Sequence, residues 1–173
     1  IPRAALIYRF LENHSIKLLY GEATKNPSYN QNYANIPFTD IAPLKPERIR
    51  TYEINYFGKV AGFMNANLSV FRNELSQLIY EERDDVNNVW WNANGGEVNT
   101  NGLELSLLFK PTDWFDLNVS GTYLDTKDEK SDIEMAFSPN YILYGNAAFR
   151  LPHSIKFALS GRYMDSMLSS WNP

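Results

Sequence analysis

The stretch Gly102-Leu-Glu-Leu-Ser-Leu-Leu-Phe-Lys-Pro-Thr-Asp-Trp-Phe-Asp-Leu-Asn-Val-Ser-Gly-Thr-Tyr-Leu-Asp125 decides how the chain folds. In its first half Leu103, Leu105, Leu107 and Phe109 fall on one side, with Glu104 and Ser106 on the other. Lys110-Pro111-Thr112-Asp113-Trp114 then makes a tight connection. In the second half Phe115, Leu117, Val119, Gly121 and Tyr123 alternate with Asp116, Asn118, Ser120 and Thr122. Side chains of a strand point alternately to its two faces, so this is a hairpin with one greasy and one wet side.

The unit recurs four times. Ala4–Phe10 and Ser15–Gly21 flank Leu11-Glu12-Asn13-His14; Arg48–Phe57 and Val60–Tyr80 flank Gly58-Lys59; Tyr141–Arg150 and Ser154–Tyr163 flank Leu151-Pro152-His153. The pattern predicts an all-β, antiparallel up-and-down meander of about eight strands. Connections within hairpins are short. Those between hairpins are long and polar: Glu22–Glu47, Glu81–Asn101 and Thr126–Asn140. Short turns at one end and long loops at the other is the asymmetry of an outer-membrane barrel. Aromatic placement agrees. Phe10, Phe57, Phe63, Phe109, Trp114, Phe115 and Phe149 lie near the short turns, and Tyr20, Tyr80, Tyr123, Tyr141 and Tyr163 near the long loops. Two membrane–water interfaces select two such bands.

Composition narrows the function. The 173 residues carry a net charge of −4 and no cysteine, with 14% aromatic residues. Nucleic-acid surfaces, disulfide frameworks and thiolate metal sites are not expected. No apolar run reaches the roughly 18–20 residues of a transmembrane helix, whereas a membrane-spanning strand needs only about 10. Ile1-Pro2-Arg3 has no signal-peptide pattern, and Trp171-Asn172-Pro173 stops in a loop-like stretch, so a piece of a larger protein is expected.

Several motifs resemble the barrel of TonB-dependent outer-membrane receptors. Tyr20-Gly21-Glu22-Ala23-Thr24-Lys25-Asn26-Pro27-Ser28 is similar to that family's "YGxAxRxPS" strand end, and Leu44-Lys45-Pro46-Glu47 with Tyr52-Glu53-Ile54-Asn55-Tyr56 to its "LKPE…YExG" signature. Val70-Phe71-Arg72 leading to Leu78-Ile79, Asn101-Gly102-Leu103-Glu104, the Lys110–Trp114 turn and Ser138-Pro139 follow in the family's order. Lys25 stands where Arg is common and Asn55 where Gly is common. The resemblance implies that residues 1–173 are part of a barrel of about 22 strands, with the plug domain and final strands absent. It implies uptake of an iron chelate (a siderophore), cobalamin, a sugar or a peptide in a Gram-negative outer membrane. The implied partners are outer-membrane lipid, the small nutrient, and TonB through the missing plug region, with no nucleic acid and no cofactor.

No acid, base and nucleophile set converges, so an enzyme is not expected. His14 and His153 fall in short turns and read as solvated. Glu81-Glu82-Arg83-Asp84-Asp85 reads as a solvated acidic loop. Candidate ligand contacts are Trp90, Trp91 and Asn92 in one long loop, Tyr29, Asn30 and Tyr33 in another, and Arg83; aromatic faces stack on flat ligands while amides hydrogen-bond them. The alternative is a soluble, lipocalin-like eight-stranded barrel with its apolar side turned inward around a small ligand.

Overall fold

The computed structural model describes residues 1–35, 42–85 and 87–169. Trp171-Asn172-Pro173, which figured in the sequence reading, lie outside them. The described residues form one antiparallel sheet of eight strands in chain order. These are β1 (Arg3–Leu11), β2 (His14–Lys25), β3 (Glu47–Val60), β4 (Met64–Asp84), β5 (Val89–Thr112), β6 (Phe115–Asp128), β7 (Tyr141–Arg150) and β8 (Lys156–Met164). A short helix, α1 (Tyr29–Ala34), sits between β2 and β3.

Register confirms that the alternation is two-sided across the whole sheet. Leu6, Leu18, Ile54, Val70, Leu103, Tyr123 and Tyr141 stand in one row of cross-strand partners. The next such row holds Tyr8, Ile16, Tyr56, Leu68, Leu105, Gly121, Leu143 and Tyr163. The opposite face carries rows such as Lys17, Asn55, Ser69, Glu104 and Thr122. From Phe115 to Tyr123 the strand runs about 27 Å, which a tilt of about 40° converts to a belt roughly 20 Å tall, close to the apolar band of an outer-membrane barrel.

Burial is inverted relative to a water-soluble protein. Ile54 is 56% and Val70 49% exposed, while their polar neighbours Asn55 and Ser69 are each only 7% exposed. The closed face is a hydrogen-bonded polar ladder. Asn55 Nδ2 donates to Asn67 Oδ1 (2.6 Å) and Ser69 Oγ (2.7 Å), and Ser69 Oγ donates to Glu53 (3.0 Å). Asn55, the departure from the family's Gly, is the centre of that ladder. Gly102 belongs to this face too, with the Phe71 ring lying where its Cβ would be.

The strands do not close on themselves. β1 pairs with β2 and β8 with β7, and among the described residues no ladder joins β1 to β8. The apolar face stays outward and open. This arrangement does not support the soluble, lipocalin-like alternative, which requires closure with the apolar side within.

Several expectations need correction. The β3–β4 turn lies at Ala61-Gly62-Phe63, not Gly58-Lys59. Ala61 and Gly62 both take positive φ there, and glycine does so without steric cost. Glu81–Asn101 is not a loop: β4 runs through it to Asp84 and β5 from Val89 onward. Its polar residues mark a sheet with water on both sides, where a one-sided apolar pattern is not required. Phe57 pairs with Ser15 and Asn67 on the polar face, so it is not part of the lipid-side band. Tyr80 pairs with Ala93, far beyond the rung of Leu103, and leaves the outer band as well. His14 opens β2 and its Nδ1 is 2.8 Å from the Tyr56 hydroxyl, so it is not a free turn residue. The exposed His153, at φ 59°, does sit in a short 3-10 turn.

Several of the remaining band residues meet in ring clusters at the two ends. Trp114, Phe115, Phe149 and Phe157 form a continuous ring cluster at the short-turn end, with Phe115–Phe149 centroids 5.0 Å apart. At the other end Tyr20–Tyr52 (5.3 Å) and Tyr123–Tyr141 (5.0 Å) pair across strands.

Candidate functional site at the long-loop end

A membrane-spanning strand needs about 10 residues. β4 has 21 and β5 has 24. The hairpin between Asn101 and Val89 therefore carries about 40 Å of strand beyond the tyrosine band. Two irregularities kink it, one on each strand. The register slips between Leu75 and Leu78 and again between Leu78 and Ile79, with Gln77 at φ 57°. Such bulges redirect a strand and strengthen its twist.

The β2–β3 connection is tied to this hairpin at three levels. At the base, Glu47 accepts from the Ile79 backbone N–H (3.0 Å) and the Lys25 ammonium (2.8 Å). Desolvation pushes the Glu47 carboxyl upward, but the Ile79 N–H and Lys25 outweigh it and hold it below the usual carboxylate range. Midway, Asn94 accepts from the Lys45 N–H (2.6 Å) and donates to the Lys45 and Gln77 carbonyls (2.9 and 2.7 Å). At the top, the Asn35 carboxamide donates to the Asn92 carbonyl (2.7 Å) and accepts from the Asn92 N–H (2.8 Å). Asn92 Nδ2 donates to the Gln31 carbonyl (3.2 Å). β5 has no β6 ladder partner before Val98, so Asn35 satisfies backbone groups that a strand would otherwise pair.

α1 is held by a capping box. Ser28 Oγ accepts from the Gln31 N–H and the Gln31 side chain accepts from the Ser28 N–H. One turn apart on this helix, Tyr29 and Tyr33 stack at 5.7 Å, both exposed.

Of the sequence candidates, the structure places Tyr29, Asn30 and Tyr33 on α1 and Arg83, Trp90, Trp91 and Asn92 on the hairpin that α1 docks against. Arg83 pairs across the strands with Trp90, and its guanidinium lies 5.1 Å from that ring's centroid, a cation–π contact. Trp90 and Trp91 are consecutive strand residues and so point to opposite faces. Trp90 is open to solvent and Trp91 half-buried. The sequence reading missed Gln31, Asn35, Glu47 and Asn94, which assemble the site. The Ser28-x-x-Gln31 spacing was a legible helix-start signal.

The third long connection is organised by Asp128. It accepts from the N–H groups of Lys130 (3.1 Å) and Ser131 (2.8 Å) and from the Ser131 hydroxyl. The Ser131 N–H is the largest of the influences that keep its carboxyl below the usual range.

A staved antiparallel wall with an outward apolar belt, a polar inner ladder and long outer hairpins defines a section of outer-membrane β-barrel. A family model described as "TonB dependent receptor-like, beta-barrel" matches residues 1–171, and the chain belongs to that family. Its members are outer-membrane β-barrel receptors and transporters of Gram-negative bacteria, not enzymes. A vitamin B12 transporter, BtuB of Vibrio vulnificus (strain CMCP6), is 30% identical over 110 residues, which are 62% of this chain and 16% of that protein. Among solved structures, the ferric-catecholate import receptor Fiu of E. coli K12 superposes with a TM-score of 0.72 at 18% identity, covering 95% of this chain and 24% of that one. The FrpB iron transporter of Neisseria meningitidis gives 0.73 at 21%, covering 94% and 26%. These likenesses show the fold. The chain thus spans between 16% and 26% of the length of these relatives.

Proposed function

We propose that this chain is one section of the wall of a roughly 22-stranded, plugged barrel, and that the whole receptor imports a scarce nutrient, driven through TonB. The cargo would be a metal chelate, cobalamin, a sugar or a peptide; the named cargoes of the relatives, vitamin B12 and a ferric catecholate, fall within this range. Capture at the outer mouth would use the α1–hairpin platform: Tyr29, Asn30 and Tyr33 on one part, Arg83, Trp90 and Asn92 on the other, with Trp91 contributing from the opposite face of the hairpin.

The reciprocal Asn35–Asn92 pair carries this reading. It joins two segments some 57 residues apart into one surface that offers aromatic faces beside amides. Substituting Tyr29, Tyr33 and Trp90 together by alanine in the full-length receptor should weaken nutrient binding by about tenfold or more, since aromatic contacts contribute on the order of a kilocalorie each. Unchanged affinity, measured by equilibrium binding to whole cells, would remove the platform from the site.

A further inference from the structure

We propose that Arg48, Arg50 and Arg72 form a binding site for the phosphate of an outer-leaflet lipid headgroup. The three arginines stand on the lipid-side face, at the tyrosine band and just above it. Arg72 shares a row with Tyr20 and Tyr52, Arg50 lies one rung further out between Glu22 and Glu74, and Arg48 one rung beyond. Each rung is about 7 Å of strand, so all three guanidinium groups fall within headgroup depth.

Their charge is not fully used within the protein. Three arginines face two carboxylates. Glu22 is shared between Arg48 and Arg50 at 3.5 Å each and is engaged by the Tyr20 hydroxyl as well, while Glu74 meets Arg72 at 2.9 Å. All three arginine side chains remain 41–48% exposed. A planar guanidinium with spare donors suits a phosphate, whose oxygens accept paired N–H bonds.

The surface beneath fits the rest of a lipid. Leu18, Tyr52, Ile54 and Val70 line an open groove of about 420 Å³ with Arg72 at its edge. It is continuous with the apolar belt, so an acyl chain lying there keeps its phosphate at the arginines. The site rests on the membrane orientation of the sheet and not on the identity of the nutrient.

The test uses the full-length receptor in phosphatidylcholine nanodiscs doped with diphosphoryl lipid A, and native mass spectrometry of the released protein. The parent receptor should retain the phosphorylated lipid. R48Q/R50Q/R72Q should retain about tenfold less or lower, the loss expected for even one charge-assisted contact. Dephosphorylated lipid with the same acyl chains should be retained by neither. Equal retention by parent and variant, or of both lipids, would overturn the site. Heat-modifiable migration checks folding; should the triple variant fail it, R50Q and R72Q singly are each expected to lower retention several-fold, and no change in either would overturn the site. Nutrient uptake is read in parallel, so loss of lipid with uptake retained leaves the import reading standing.

Discussion

Replacing Val119 by arginine places a guanidinium at the middle rung of the apolar belt, two rungs from the Tyr123 row and two from Phe115. Val119 pairs with Leu107 on one side and Gly145 on the other, and is 40% exposed on the face that meets hydrocarbon. An arginine at the bilayer midplane of a β-barrel costs about 2–4 kcal/mol. Asn118, one residue earlier, pairs with Leu108 and Asn146 on the polar face. Asn118→Arg should therefore cost about 1 kcal/mol or less, the range of ordinary surface changes. The expected ratio of folded to unfolded populations thus separates the two variants by about fivefold or more. The assay is urea unfolding of the full-length receptor in phosphatidylcholine vesicles, followed by tryptophan fluorescence. Equal costs, or a greater cost for Asn118→Arg, would refute the assignment of the two faces.

Asn35→Ala should leave the Asn92 N–H and carbonyl without partners, at a local cost of about 1–3 kcal/mol; hydrogen exchange at Asn92 should quicken while the belt is unaffected. Acid should release the Glu47 clip. Its carboxyl is depressed in the folded state, so its stabilisation is complete above the ordinary carboxylate value and is lost as pH falls below about 4; exchange at the Ile79 amide should rise over that window, and constant protection would contradict the linkage. Gly102→Ala should force the Phe71 ring aside, because a Cβ there would come within 2.1 Å of it; a loss of about 1–3 kcal/mol is expected, and Phe71→Ala in the same chain should recover part of it in the same unfolding assay.

The faces of the belt were legible because hydrocarbon imposes a strict period of two: Leu103 to Phe109 and Phe115 to Tyr123 announce their side without any tertiary information. Beyond Asn101 that constraint ends. Residues 81–84 and 89–101 remain strand, but with water on both sides Asn, Glu and Trp are as acceptable as Leu, and the polar run looked like a loop. The β3–β4 turn was misplaced for a related reason. Gly58 is a strand residue crowded by Tyr56 and His14, where a side chain has no room, and that steric demand resembles a turn signal in the sequence. Candidate ligand residues were legible as types, but their assembly depends on Asn35 and Asn94, ordinary asparagines whose partners are tens of residues away.

Among the described residues, every strand in the sheet is bonded only to the strands before and after it along the chain. Such a wall can grow by zipping one hairpin at a time, each new strand finding its template already in place and closing only a small loop. The slow event in assembly then moves to wherever the first and last staves of the whole cylinder must meet.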